Sequence, residues 1–463
     1  MEGDRMTDKT LTHVVGTFLI QADASFLNGA KGTGEDQNVT GPKTFWDGKN
    51  KVPYVSAQAW KRWLRNTVIE ETGWLPSVQK SSGWNKKGNV SKHESELNPV
   101  DFPEDDIFGY MRAEAGQGGT KEEDEDTEDE ELETSGRTRT KSVMRASPFS
   151  ASLLISLRSK GWQGEDEAFV HLKEYDPSSL AKAEIERFLS AINEDKDKKK
   201  TVWERLKKSK KFDAASLKTV KELVDNNRLE ELRTLLSEKA KPNEIKFIEK
   251  PISPVPYTTL FYNTNLQGIF CLNYNRLGVY WNIGDRIELE ETRAKKFLEE
   301  KKIKDVTNED RYKKLSDNGK RGNIYKIADE VKPSVKDRAT ALFNALAVLR
   351  GGAKQAQFGT DIAPKALILA GTTCGNPIFN HLFEDDGNGP SLKIETFKEI
   401  ISDYSDRIAK PVLIGIRSGY LKNEDAVKKE FIDENGNPKT VSGIQILIMT
   451  PIEAAKRMSE SLP

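Results

Sequence analysis

Apolar and polar positions along the chain fall into ordered blocks separated by long polar stretches. Residues 11–27 carry β-branched and aromatic side chains in near-unbroken succession, which predicts a long first strand. A glycine-containing stretch from Asn28 to Gly48 follows, too long for a tight turn. Next, Ala59, Trp60, Trp63, Leu64 and Thr67 recur at helical spacing, with Gln58, Lys61, Arg62 and Arg65 on or beside the opposite face. Ser56 stands where an N-cap stands, its side-chain oxygen placed to accept an orphan backbone N–H.

From Gly73 to about Arg139 the chain is polar and reads as an inserted, partly disordered lobe, with Asp105–Met111 its compact apolar patch. Strand-like order returns over 142–157, and residues 178–240 have the periodicity of a helical insertion. Pro251, Pro254 and Pro256 stiffen an extended arm ending at Tyr257. Leu260 to Tyr280 alternates as a strand or hairpin, and Glu288 to Asn318 reads as a charged helix. An amphipathic helix over 336–350 presents Ala339, Leu342, Phe343, Leu346 and Leu349, and stops at Gly351-Gly352. Buried strands are expected at 366–370, 411–416 and 444–449. Without its insertions the chain runs strand, helix, strand, strand, helix, strand. That order predicts an α+β fold with a ferredoxin-like palm, the arrangement of RNA-recognition (RRM-like) folds.

Composition sharpens this picture in two ways. The formal net charge of −1 conceals residues 121–133, where ten acids stand against Lys121 for a net of −9, so the remainder carries +8. A basic folded part suits a polyanionic partner, and the acidic run reads as a disordered loop or, alternatively, as a mimic of nucleic acid. The two cysteines, Cys271 and Cys374, stand far apart, and the four histidines have no metal-ligand spacing. With no apolar run long enough to span a bilayer and no apolar signal core, the expectation is a cytoplasmic chain without membrane contact, cofactor or metal.

Two segments carry candidate chemistry. The first is the helix after Ser56: a polar N-cap followed by Lys61 and Arg65 one turn apart suits a run of phosphates, because a helix N-terminus adds partial positive charge. The bland alternative is a solvated amphipathic helix. The second segment is Gly351–Thr360, joining a helix end to a buried strand. Its glycines allow close approach of a polyanion, Lys354 adds charge, Gln355 and Gln357 can hydrogen-bond sugar or phosphate, and Phe358 offers a stacking face. An ordinary glycine C-cap is the competing reading.

In these residues the chain resembles the backbone subunit of type I CRISPR effector (Cascade) complexes, in the DevR/Cst branch and most like type I-B. Ser56-Ala-Gln-Ala-Trp-Lys-Arg-Trp-Leu-Arg65 matches the family's Ser-x-Gln-x-x-Lys-Arg-x-x-Arg helix. Asp106-Ile-Phe-Gly-Tyr-Met111 resembles its Asp-x-x-x-Phe-Gly-Arg-Met element, with Tyr110 in place of arginine and shorter spacing. Leu260-Phe-Tyr-Asn-Thr-Asn-Leu-Gln-Gly268 resembles its aromatic strand, and Gly352-Ala-Lys-Gln-Ala-Gln-Phe358 its Gly-Lys-Gln loop with one residue inserted.

The resemblance implies a hand-shaped subunit stacking head to tail along CRISPR guide RNA, with target DNA reached through the guide and other Cascade subunits as partners. It assigns Ser56, Gln58, Lys61, Arg62 and Arg65 to guide-RNA binding, with Lys354, Gln355 and Gln357 from the glycine loop and Asn28 and Lys43 from the strand–helix loop. A thumb is expected around Pro254, Tyr257 and Thr258. The implied organisation is palm at 1–72, finger lobe at 73–140, palm strand at 141–157, helical insertion and thumb at 158–258, palm strands, helix and glycine loop at 259–380, and a palm extension at 381–463.

No catalytic group is required for that task. Two other readings stay open: a metal-dependent RNA-cleaving subunit of the type III kind, using Asp23, Asp36 or Asp47, and a free-standing RNA-binding protein. No GxxxxGK[ST] motif occurs, so ATPase chemistry is unsupported. Trp74 and Trp84 read as local core rather than stacking groups, and Cys374 as a small buried thiol.

Overall fold

Apolar residues fill both faces of β1 (His13–Ser25), and this decides what surrounds it. Val14, Phe18 and Ile20 point into one core and Val15 and Leu19 into another, so over Val14–Ile20 the alternation of side chains leaves no solvent face, and exposure begins only at Gln21. The computed structural model describes residues 9–30, 39–78, 80–84, 90–112, 143–170, 214–226, 228, 230–232, 234–235 and 255–463. It divides into two units, the first comprising Met1–Lys31, Thr40–Glu165 and Leu260–Pro463, the second Gly32–Val39 and Asp166–Thr259.

In the first unit β1 lies between two antiparallel partners. On one side is β3 (Val255–Asn273), which in turn pairs antiparallel with β2 (Leu154–Ser156); on the other is β4 (Ala366–Thr372). The order β4–β1–β3–β2, with every neighbour antiparallel, interleaves two strand–helix–strand segments as the split βαβ arrangement requires. The register runs from His13 opposite Asn273 to Ile20 opposite Leu266, and from His13 opposite Thr372 to Leu19 opposite Ala366. The sheet continues past β4 through β5 (Val412–Ile416) to β6 (Ile444–Met449), and past β2 to the hairpin formed by Asn50–Val55 and Thr44–Asp47. The protein is thus α+β.

Helices cover both faces. α1 (Ala57–Thr72) buries Trp60, Leu64, Thr67 and Val68. After the short α2 (Pro103–Phe108), α3 (Val335–Ala347) begins at a capping box between Ser334 and Asp337 and buries Leu342, Phe343 and Leu346. α4 (Pro451–Glu460) adds Ala454, Ala455 and Met458 to the same core. The opposite face is covered by the helices Ile394–Asp403 and Glu424–Phe431 through Phe397, Ile401, Val427 and Phe431.

A second sheet in this unit orders Ile303–Asp305, Gly322–Ile327, Val279–Ile283, Arg286–Ile287, Val143–Arg145 and Tyr110–Arg112. Residues 95–112, expected in a loosely ordered lobe, are therefore built into the first unit. The anchor is α2, whose Glu104, Asp105 and Asp106 are all fully buried. Asp106 accepts from Arg338 Nη1 at 2.8 Å, from Arg145 Nη2, and from the Gly278 N–H at 2.9 Å. Arg145 reaches on to Glu288 at 3.2 Å, and Arg276 and Arg286 bind the same carboxylate at 2.6 and 2.7 Å. The two fully buried arginines also reach backbone acceptors: Arg338 donates to the carbonyls of Pro99 and Val100 at 2.7 and 3.0 Å, and Arg145 to those of Val279 and Arg276 at 2.9 and 2.8 Å. A buried charge is tolerated only when so paired.

The charged helix expected from Glu288 to Asn318 is broken into a helix (Glu291–Glu299), a strand (Ile303–Asp305) and one turn of helix (Asp310–Lys313). The break follows from burial: Ile303 and Val306 pack inward beside Gly322–Ile327, which helical continuation would prevent. In the second unit, the helix Ala214–Asp225 falls within the predicted helical insertion, with Val220 and Leu223 buried. The acidic run 121–133 and Asp36 lie outside the described residues, as do Pro251 and Pro254 of the expected arm.

Asp106→Ala leaves Arg145 and Arg338 buried without their shared carboxylate and is expected to cost about 3–5 kcal/mol of unfolding free energy in urea titration. Asp329→Ala, which removes an exposed pair with Lys304, should cost under about 1 kcal/mol. Equal losses in the two variants would remove the network from its structural role.

Candidate nucleic-acid interface

The two segments singled out as candidates for phosphate binding, remote in sequence, meet in the fold. β1 ends at Ser25, and Phe26, Leu27 and Asn28 then run between them. The Ala353 N–H donates to the Leu27 carbonyl at 2.9 Å, fastening the glycine loop, and Asn28 Oδ1 accepts the Ser56 N–H at 3.1 Å, fastening the start of α1. The Lys43 N–H donates to the Asn28 carbonyl at 3.0 Å, bringing the strand–helix loop to the same point. Asn28, Lys43, Ser56 and the glycine loop thus share one hydrogen-bonded junction.

The glycine loop follows α3 and lies against the exit side of α1. The Arg350 N–H donates to Thr67 Oγ1 at 3.1 Å, and its guanidinium pairs with Glu70 at 3.2 Å and Glu71 at 2.6 Å. Gly351, at φ 141°, passes so close to Trp63 that a Cβ would stand 2.5 Å from the indole. Gly352, at φ 103°, leaves no room for one beside Leu27 and Gln355. Both positions need glycine on conformational and steric grounds together. Lys354 Nζ sits 4.9 Å from the Phe26 ring centre, and Phe26 stacks on Phe358 at 6.4 Å.

Several side chains expected to face phosphates are held by the chain itself. Lys61 Nζ donates to Ser147 Oγ at 3.1 Å and to the Phe149 carbonyl at 3.0 Å, and burial pushes its ammonium below the ordinary lysine range. Arg65 donates to Asp105 Oδ1 at 2.8 Å and Glu104 Oε1 at 3.3 Å; burial raises the Asp105 carboxyl, opposed by the guanidinium. The reason is geometric: the two cations lie over α2 and the 147–149 turn, both rich in acceptors. Gln355 donates its amide to the Gly351 carbonyl, and Phe358 packs on Phe26 and Phe261. Ser56 is the N-cap residue, but its side chain makes no capping bond. Gln58, Arg62 and Gln357 are exposed, and Asn28, Lys43, Ser56, Lys354 and Gln355 half-buried.

Tyr257 and Thr258 belong to the first residues of β3 in the second unit. Among the described residues, no group of three His, Cys, Asp or Glu side chains is placed to hold a metal ion, and no helix is long and apolar enough to cross a membrane. Cys271 and Cys374 are free thiols, and burial pushes the Cys271 thiol up to about 11. Trp74 packs against the main core, while the Trp84 side chain lies outside the described residues. Sequence reading missed Phe26 and Leu27 as the link between the two segments; the apolar run ending at residue 27 was the available signal.

No protein-family model matches the chain, and no curated protein does. Among solved structures, a chain described as "CRISPR RNA-guided surveillance complex, pre-nicking" aligns with a TM-score of 0.42 at 11% identity, covering 97% of this chain and 100% of that one. A second, "CRISPR RNA-guided surveillance complex", aligns with a TM-score of 0.38 at 11% identity, covering 97% and 99%. At so low an identity and score, neither match bears on function.

Gly351→Ala should lower the thermal midpoint, costing about 1–3 kcal/mol through overpacking against Trp63. Gly359→Ala is the control, since Gly359 also has a positive φ, 59°, but nothing near its missing Cβ. A Gly351→Ala loss no larger than the control's would refute the packing assignment.

Proposed function

We propose that this protein is a guide-RNA-binding backbone subunit of a type I CRISPR surveillance complex, most like type I-B of the DevR/Cst branch. The observation that carries the proposal is the junction at Leu27 and Asn28, adjacent residues of which the first holds the glycine loop and the second the start of α1. These are the segments whose residue pattern resembles the family's two RNA-contacting motifs. A helix start, paired glycines at positive φ, and Arg62 and Lys354 beside them form a surface suited to a sugar–phosphate backbone. Such contacts position RNA without reading bases, leaving specificity to pairing between guide and target DNA.

In this reading the chain is not an enzyme, works in the cytoplasm, stacks on further copies of itself and joins other Cascade subunits. Lys61 and Arg65 act one step back from the RNA: they hold α1 against α2 and the 147–149 turn, and their positive charge supports the field around the junction. Pro254, Tyr257 and Thr258 remain the proposed thumb.

Two measurements test this. Arg62→Ala and Lys354→Ala should each weaken RNA binding equally for all sequences and reduce the slope of log K against log salt by about one phosphate contact. Loss that depends on RNA sequence would count against backbone recognition. Protein co-purified with guide RNA should carry several copies per RNA, protect it from nuclease at a regular period and leave it uncut in magnesium. A monomer without periodic protection would favour a free-standing RNA-binding protein, and cleavage at regular intervals the type III alternative.

A further inference from the structure

The hairpin Thr44–Asp47/Asn50–Val55 ends the main sheet, and its tip carries an aromatic side chain that the core does not use. Trp46 is 66% exposed, whereas Trp60 is fully buried and Trp162 nearly so. Gly48, at φ 58°, turns the chain just beyond it, and the register places Trp46 directly opposite Lys51 on one face. Lys51 Nζ lies 5.3 Å from the indole centre. The next residue toward the core behaves differently, Phe45 packing edge-on against Tyr54 at 5.8 Å, so the hairpin is braced at its base and bare at its tip. Lys43, Lys49 and Lys51 stand against the single acid Asp47 over residues 43–55, a local net charge of +2.

An exposed indole beside cations matches single-stranded nucleic acid, which offers flat bases next to phosphates. A protein partner would bury such an indole too, but the lysine excess favours a polyanion. The base of the hairpin is tied to the proposed RNA path: the Lys43 N–H binds Asn28, and the Tyr54 N–H donates to the Lys43 carbonyl at 3.0 Å. We propose that Trp46 is a stacking platform for one base of single-stranded RNA that reaches the Asn28 junction, with Lys49 and Lys51 holding the adjacent phosphates. This rests on the RNA-binding reading above and adds contact with a base face where that reading has only backbone contacts.

The test uses the full chain and labelled single-stranded RNA of mixed sequence, followed by fluorescence anisotropy, beside an abasic RNA of equal length. Trp46→Ala should bind base-bearing RNA about 10-fold more weakly, with an unchanged salt slope, and bind abasic RNA as the wild type does. Trp46→Tyr should retain most of the affinity, and both variants should melt with the wild type because Trp46 lies outside the core. Equal binding of base-bearing RNA by wild type and Trp46→Ala overturns the platform, as does an equal loss on both RNAs. If Arg62→Ala is still weakened in those cases, RNA binding stands and only the stacking role falls. A wild type that binds neither RNA overturns both readings. A change in sedimenting mass without RNA in Trp46→Ala would assign the indole to contact between copies and overturn the RNA role.

Discussion

Asp106 is the constraint on which the first unit depends. Its carboxylate is fully buried, and it accepts from two guanidinium groups that come from widely separated segments: Arg145 before β2 and Arg338 in α3. Removing a carboxylate and two guanidinium groups from water costs several kcal/mol per ion unless every donor and acceptor is matched. Here the matching is extensive, reaching through Arg145 to Glu288 and from there to Arg276 and Arg286. A network so placed holds α2, α3 and the second sheet in one arrangement, because a shift of any member leaves a charge unpaired in a dry site.

That arrangement determines what α1 can offer. α2 carries Glu104 and Asp105 beside Asp106, and these two carboxylates take Arg65. The 147–149 turn supplies acceptors for Lys61. Two of the strongest-looking phosphate ligands are therefore part of the packing. What α1 presents outward is its N-terminal turn with Gln58 and the exposed Arg62, and the glycine loop is brought alongside through Trp63 and Thr67. The Phe26–Phe358 stack with Lys354 over Phe26 then fixes the loop's far end. A surface assembled from backbone groups and a few cations, each held by buried neighbours, is preorganised, and under the proposed function it would lose little freedom on meeting an extended polyanion.

Much of the main sheet and its helices was legible locally. The near-continuous apolar run of β1, the helical spacing of Trp60 and Leu64, and the face Ala339, Leu342, Phe343 and Leu346 each bury as their period demands. The helix expected to run on to Gly351-Gly352 stops earlier, at Ala347 with Val348 as its C-cap, and the two glycines stand in the loop that follows. The elements that escaped were those whose state is set at long range. Residues 288–318 have helical composition but yield a strand at Ile303, because the neighbouring strand Gly322–Ile327 rewards pairing there. The buried role of Asp105 and Asp106, at the head of the apolar patch 105–111, was not legible, because a carboxylate's local sequence carries no sign of the arginine that will meet it.

By itself, then, the sequence determined the α+β order of strands and helices, the glycine turn between α3 and β4, and the residue types able to meet a phosphate, since periodicity and backbone conformational freedom are local properties. Which cations face outward was decided only by tertiary structure. Lys61, Arg62 and Arg65 have similar chemistry and near-adjacent positions, but turning by about 100° per residue sends them to different neighbours. Acceptors at Ser147, Phe149, Glu104 and Asp105 capture two of them, while Arg62 meets solvent.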